Sequence, residues 1–202
     1  MQRLVPQEMN ENRFLAAVEH FSRILLGDGV KDRIAKLILF GSVARDDVTP
    51  ESDVDLLVLA TDDLDRVSRA CAEAALRTGM ELRISVEPLV YCVDQLWHPH
   101  SLFIAEAIAN GKEMYSMPEL DLSRAEARGL LNLAQTYSDA AEKAMAVGDF
   151  RIAVDLAYNA AELCIKGLLR LSGETIPRTH GGIITRFSEL YVRSGHISEV
   201  LG

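Results

Sequence analysis

The chain has 202 residues, 49% of them hydrophobic and 25% charged, which is enough apolar material for one large or two small packed domains. A net charge of −9 excludes broad non-specific binding to nucleic acid, whose phosphates such a surface repels. No apolar run approaches bilayer-spanning length and the start, MQRLVPQEMNENR, lacks a signal-peptide core, so a soluble cytoplasmic protein is expected.

In chain order, residues 10–26 carry Phe14, Leu15, Val18, Phe21, Ile24 and Leu25 at helical spacing, and Gly27 and Gly29 stop the pattern. Ile34 to Phe40 is short, β-branched and aromatic and ends at Gly41, the mark of a strand, and Asp53 to Ala60 reads the same way. Residues 62–78 open with acids suited to a helix N-terminus and stop at Gly79. Leu82 to Tyr91 alternates, with Ile84, Val86 and Val90 on one side and Arg83, Ser85, Glu87 and Tyr91 on the other, which predicts a third strand. A helix is expected over 101–109 and a short edge strand over 111–117, before a domain boundary at Pro118.

Beyond residue 118 the strand signals vanish. Ser123 and Glu126 fit a capping box at the start of a helix that runs to Gly148. Asp149 caps a second helix with a stripe of Ala153, Leu156, Ala157, Ala160, Cys164 and Leu168, and a third begins at Thr179 or His180. Short turns join these helices, so the second half is an antiparallel helical bundle. Lys166, Arg170, Arg178, Arg186 and Arg193 face only Glu174 and Glu189 between 166 and 193, making that segment the place where a polyanion would be met. Ile152, Leu163, Ile165 and Leu169 lie off the main stripe, which predicts a homodimer through the helices. Cys71, Cys92 and Cys164 have no paired spacing and read as reduced packing residues.

The chemistry concentrates in LILFGSVARDDVTPESDVDLLVLA, residues 37–60. On a strand, residues i and i+2 share a face, so Asp53 and Asp55 present two carboxylates side by side while Val54 turns to the core. Two like charges so close call for a cation, and Mg²⁺ takes oxygen ligands while keeping positions open for phosphate. Glu87, on the polar side of a neighbouring strand, is the candidate third acid. Gly41 lets the backbone approach a polyphosphate, the Ser42 hydroxyl and amide can bond its oxygens, and Arg45 can add a fork of donors, although a surface arginine in a turn needs no such role. His98 and His100 flank Pro99 in a loop with nothing near to complete a metal site. His180 reads as a capping or packing residue, and Tyr158 and Lys166 as packing and snorkelling side chains on one helix face.

Gly41-Ser42-Val43-Ala44-Arg45, followed after seven residues by Asp53-Val54-Asp55-Leu56, resembles the GSxAR…SDxDL pattern of minimal nucleotidyltransferases, members of the DNA polymerase β-like superfamily. The resemblance implies an α+β fold, a small mixed sheet with flanking helices over residues 1–118. It also implies Asp53, Asp55 and Glu87 as catalytic metal ligands and Gly41, Ser42 and Arg45 at the nucleotide. The implied reaction is Mg²⁺-dependent transfer of an NMP, AMP from ATP in particular, to a hydroxyl of a protein, RNA or small molecule. Where the family commonly has Gly after the Arg, this chain has Asp46, which adds a negative charge near the phosphate site.

Residues 119–202 resemble a HEPN domain, through Ala157-Tyr158-Asn159-Ala160-Ala161-Glu162, Lys166-Gly167-Leu168-Leu169 and Pro177-Arg178-Thr179-His180. Many HEPN ribonucleases carry Arg, four to six residues, then His on a late helix. No such spacing follows residue 118, and the expectation is a helical domain short of its last helix. Pairing of these two domain types implies a toxin–antitoxin context. Two alternatives are an antibiotic nucleotidyltransferase acting on aminoglycosides, and a non-catalytic nucleotide-binding module in which Asp46 has spoiled the phosphate site.

Overall fold

The computed structural model describes residues 6–197, with side chains from residue 12 onward. The chain divides into two compact units, Met1–Leu122 and Ser123–Gly202. Among the described residues no helix is long and apolar enough to cross a membrane.

The first unit opens with helix α1, Pro6–Gly27, whose Phe14, Ala17, Val18, Phe21 and Leu25 form a fully buried stripe. A 3-10 turn at Lys31–Arg33 leads into strand β1, Ile34–Phe40, followed by the single turn α2, Gly41–Ala44. Strand β2, Val54–Ala60, helix α3, Leu64–Leu82, and strand β3, Val86–Cys92, form the strand, helix, strand unit that the sequence predicts. Helix α4, Leu102–Asn110, and strand β4, Lys112–Ser116, complete it.

The four strands make one mixed sheet in the order β3-β2-β1-β4. β1 runs antiparallel to β2 and to β4, whereas β2 and β3 are parallel. Leu56, Leu57, Val58, Leu59 and Ala60 are all inaccessible to solvent, so β2 is covered on both faces and its sequence is a continuous apolar run rather than an alternation. Val54, Leu56, Val58 and Ala60 pack with Phe14, Phe21, Leu25, Val67, Cys71 and Ala74 beneath α1 and α3. The alternate residues, beginning with Asp55, face the other way.

α3 passes through Gly79 and ends only at Arg83, which adopts a left-handed conformation (φ 54°) and donates its amide to the Gly79 carbonyl. The predicted stop at Gly79 and the strand start at Leu82 are therefore both corrected. Cys71, Ala74, Thr78 and Leu82 continue the helical spacing onto the core, and that burial outweighs the low helix propensity of one glycine.

In the second unit, α5 spans Glu119–Ala146, α6 Phe150–Leu171 and α7 His180–Phe187, with a π turn over Ser188–Val192. Asp149 caps α6 by accepting from the Ile152 amide, and Thr179 caps α7 by accepting from the Gly182 amide, as the sequence predicts. A Cβ on Gly167 would lie 3.3 Å from the Ala127 carbonyl oxygen and Arg170 reaches Ser123, so the end of α6 packs against the beginning of α5, as antiparallel helices do. The capping box at Ser123 is corrected. The helix starts four residues earlier, with the Pro118 carbonyl accepting from the Asp121 and Leu122 amides. Ser123 and Glu126 sit inside α5 and are buried, where Ser123 Oγ accepts from Arg170 Nη2 at 3.0 Å and Glu126 accepts from Arg170 Nε. A Ser-x-x-Glu pattern places both side chains on one helix face, and here that face meets a buried arginine.

Candidate active site

The site is built where β1 ends and β2 begins. Phe40 pairs with Asp55 across the two strands, so the residue after Phe40 must turn directly over the Asp55 carboxylate. Gly41 does so with φ +74°, and a Cβ there would lie 1.9 Å from Asp55 Oδ2. Glycine is required twice, for the backbone conformation and for the close approach. On the other side of β2 the parallel register sets Asp55 beside Glu87. Asp53 immediately precedes β2, and the buried Val54 separates it from Asp55.

The electrostatics of Asp55 follow from this arrangement. Burial is the main reason that the Asp55 carboxyl is pushed above its ordinary value, and the negative charges of Glu87 and then Asp53 push it further. The Arg45 guanidinium acts in the opposite direction. Asp55 and Glu87 are paired, mutually repelling oxygen donors of the chemistry that a hard cation offsets, with the Asp53 charge nearby. Among the described residues, no three His, Cys, Asp or Glu side chains are gathered into a metal site by themselves.

A cavity of about 610 Å³ opens over these residues. Gly41, Arg45, Asp55 and Glu87 form part of its wall, whereas Ser42 and Asp53 do not. Four wall residues that sequence reasoning missed, Phe103, Glu106, Ala107 and Asn110, come from one face of α4. Their spacing of three, one and three residues was visible, but no periodicity says which side of a short helix covers a site.

Asp46 occupies a left-handed position (φ 60°), where glycine and aspartate are both tolerated. Its carboxylate accepts from Lys112 Nζ at 2.8 Å, so the additional charge is neutralised by β4. His100 bonds Gln95 and stacks at a tilt on Tyr91, consistent with loop structure. All three cysteines are free thiols, and burial raises Cys71 to about 12 and Cys92 to about 11, which keeps both unreactive.

In the helical unit Tyr158, Glu162 and Lys166 follow one another at single-turn intervals on α6 and converge with His180. The Tyr158 hydroxyl lies 2.8 Å from His180 Nε2, His180 Nδ1 lies 3.0 Å from Glu162 Oε2, and Lys166 donates to the other Glu162 oxygen at 2.7 Å. These four side chains form one bonded chain, more than the packing and snorkelling that the sequence suggests. The basic segment is correspondingly less basic than its composition: Lys166 pairs with Glu162, Arg170 with Glu126, and Arg186 with Glu174 and Glu189.

Residues 24–113 match the nucleotidyltransferase domain family, and residues 127–200 match the HEPN domain family. A "putative protein adenylyltransferase" of Methanocaldococcus jannaschii is 39% identical over 79 residues, covering 39% of this chain and 75% of that protein. A second protein of the same organism and description is 35% identical over 63 residues, covering 31% of this chain and 64% of its own length. Two solved structures also match, a toxin–antitoxin with AMP-PNP and a mutant of the toxin–antitoxin MntA-HpeT. Each is 23% identical with a TM-score of 0.37, over 69% and 65% of this chain and 96% and 94% of theirs. With its glycine turn, its adjoining strand carboxylates and a relative that it matches over three quarters of that relative's length, the chain belongs to the nucleotidyltransferases, here with a HEPN domain following the transferase domain.

Proposed function

We propose that the first unit transfers AMP from ATP to a hydroxyl group of a protein, with Mg²⁺ as cofactor. The observation that carries this reading is the pairing of Asp55 with Glu87 on adjacent parallel strands, at a cavity where Gly41 presses on Asp55 and Arg45 faces it. AMP and a protein acceptor follow the description of the two archaeal relatives. The pairing of Lys166, Arg170 and Arg186 with carboxylates removes much of the basic surface that an RNA acceptor would need.

In this reading Asp55 and Glu87 in the cavity wall would hold the cation, with Asp53 beside them adding negative charge, and such a pair suits Mg²⁺, an ion that binds through one or two carboxylates plus substrate phosphates. When bound, it offsets the carboxylate repulsion and the charge on the phosphates. The chain's own groups do the rest. Arg45 and the Gly41 turn hold the β and γ phosphates, while Glu87 accepts the proton of the acceptor hydroxyl. The acceptor oxygen bonds to the α-phosphorus, the bridge to the β-phosphate breaks, and pyrophosphate leaves. The Lys112 pairing of Asp46 supports a working phosphate site over a spoiled one. The use of ATP supports a cytoplasmic reaction.

Incubation with α-labelled ATP, Mg²⁺ and cell extract tests the reading. A labelled protein band is expected, lost with EDTA, with Asp55→Asn and with Glu87→Gln. Label in RNA or in an added aminoglycoside instead would change the acceptor, and undiminished labelling by Asp55→Asn would remove the catalytic assignment.

The helical unit forms a homodimer in the same proposal, and of the four residues that the sequence suggests, Ile152 is half exposed and Ile165 partly so, whereas the other two are not available. Leu163 and Leu169 are 2% and 0% exposed and belong to the core. Phe150, Val154 and Tyr158, one turn apart on α6, are each more than half exposed and supply an apolar stripe. Light scattering of the whole chain should give a dimer and Val154→Glu a monomer; a monomeric parent protein would end this part of the proposal.

A further inference from the structure

We propose that α4 reads the nucleoside of the substrate, with Asn110 on the base edge, Phe103 on the base face and Glu106 on the ribose hydroxyls, so that the enzyme prefers ATP to GTP. This rests on the cavity being the nucleotide site. Charge sorts the two ends of that cavity. At the Gly41 turn Arg45 stands beside Asp55 and Glu87, whose charges the proposed cation offsets, whereas the α4 wall of Phe103, Glu106, Ala107 and Asn110 has no cation and one unoffset carboxylate. A triphosphate is therefore drawn to the turn and repelled from α4, which leaves the uncharged base and the sugar for the helix.

The wall has the chemistry of a base pocket. Phe40, Leu89 and Phe103 are apolar, and Ala107, between Phe103 and Asn110 in the chain, adds only a methyl group to the wall. Phe103 is half exposed and packs edge-on against Phe40, with centroids 5.5 Å apart at 82°. Its ring can therefore take a base without losing its support. A carboxamide matches the adenine edge, where an amino donor sits beside a ring-nitrogen acceptor. Guanine offers two acceptors at its major-groove edge, one of which would face the Asn110 carbonyl. A carboxylate is the ordinary partner of ribose hydroxyls in nucleotide sites. Among the described residues, the side chains of Glu106 and Asn110 make no hydrogen bond to protein, so both polar groups are available to the cavity that they line.

α4 is also held firmly enough to discriminate. Ser101 caps it by accepting from the Ile104 amide at 3.2 Å, and Ile104 and Ala107 are buried. At its other end, a Cβ on Gly111 would lie 2.3 Å from Ile38 Cγ2 and 2.9 Å from the Leu39 carbonyl, so the turn carrying Asn110 is pressed onto β1.

The test is fluorescence competition of ATP, GTP, CTP, UTP and 2′-deoxy-ATP against a fluorescent ATP analogue on the full chain with Mg²⁺. Asn110→Ala should weaken ATP about tenfold and narrow the ATP to GTP ratio by about the same factor, the scale of one bidentate base contact. Phe103→Ala should weaken all four ribonucleotides about tenfold alike, as loss of a base-blind stack does, with Phe103→Tyr restoring them. Glu106→Gln should narrow the preference for ATP over 2′-deoxy-ATP. Circular dichroism and thermal melting verify folding, and Asn110→Asp replaces any Asn110→Ala protein that fails to fold, again with loss of the ATP to GTP ratio expected. Unchanged nucleotide ratios in folded Asn110 and Glu106 variants overturn this inference alone, provided Asp55→Asn still abolishes transfer. Failure of the parent protein to bind any NTP overturns the nucleotidyl-transfer reading as well.

Discussion

Replacing Gly41 by alanine would place a methyl carbon 1.9 Å from Asp55 Oδ2 and 2.9 Å from its Cγ, in a backbone held at φ +74°. The left-handed conformation costs a residue with a Cβ about 1–2 kcal/mol. Driving the Asp55 side chain off its rotamer to relieve the clash adds roughly 0.5–1.5 kcal/mol. Gly29→Ala is the matched control, because Gly29 has φ +68° with nothing within 4 Å of a Cβ and carries the conformational cost alone. Denaturant unfolding of the two variants should therefore differ by about 1 kcal/mol, Gly41→Ala being the weaker. Transfer should separate them far more, since a displaced catalytic carboxylate of this kind costs on the order of 100-fold in rate. Equal stability losses together with full activity in Gly41→Ala would refute the claim that Gly41 shapes the Asp55 site.

Asp46→Gly should leave transfer within about twofold and stability within about 1 kcal/mol, because the substitution relieves a left-handed residue while removing an exposed Lys112 pair. A large gain in activity would mean that Asp46 impairs the phosphate site. Arg170→Ala, which strips Glu126 of its guanidinium partner in a site where both are over nine-tenths buried, should cost the helical unit about 3–5 kcal/mol in denaturant unfolding. Joint replacement by Arg170→Met and Glu126→Leu should recover most of that loss, as apolar pairs of similar volume do. The Lys166 bond, followed by that of His180, holds the Glu162 carboxyl below its ordinary 4.5 despite partial burial. The ionised form is thus favoured by folding, its contribution is full above pH 4.5 and fades as pH falls through the depressed value, and Lys166→Met should flatten that acid-side slope in pH-dependent melting.

The elements of the first unit were legible because each strand is short, β-branched and bounded by glycine or polar turns, and because α1 and α4 end where their apolar spacing ends. Gly79 misled because a glycine reads as a stop only when nothing beyond it needs burying, and Leu82 does. Ser123 and Glu126 misled for a related reason: local spacing identifies a shared helix face, but whether that face meets an empty helix end or Arg170 is decided by α6, forty-four residues away from Glu126. At the candidate site, Asp53 and Asp55 were marked out by their i, i+2 spacing taken together with the Gly41-Ser42 pair that follows a strand. Glu87 needed the parallel register of β3 on β2, which alternation suggests and pairing supplies. The α4 wall could not be read at all, because Phe103, Glu106 and Asn110 acquire meaning only when the helix is laid over the sheet.

Holding Asp55 and Glu87 together without a cation works against folding, and the apolar rows on either side must offset it. Val54, Leu56 and Val58 are completely buried on the opposite face of β2, each such side chain contributing roughly 1.5–3 kcal/mol, against which one partly screened repulsion is small. Glu87 is the largest electrostatic reason that Asp55 resists ionising, so its neutralisation should ease the folded state while disabling the enzyme. Glu87→Gln is accordingly expected to raise unfolding stability slightly, by under about 1 kcal/mol in metal-free buffer at neutral pH, and to abolish transfer of label from ATP. In excess Mg²⁺ the order should reverse, since the parent protein gains binding free energy at a site that the variant has weakened. A Glu87→Gln protein that is less stable than its parent without Mg²⁺ would show that Glu87 holds the strand ends together, and the account of the pair as a strained cation site would fall.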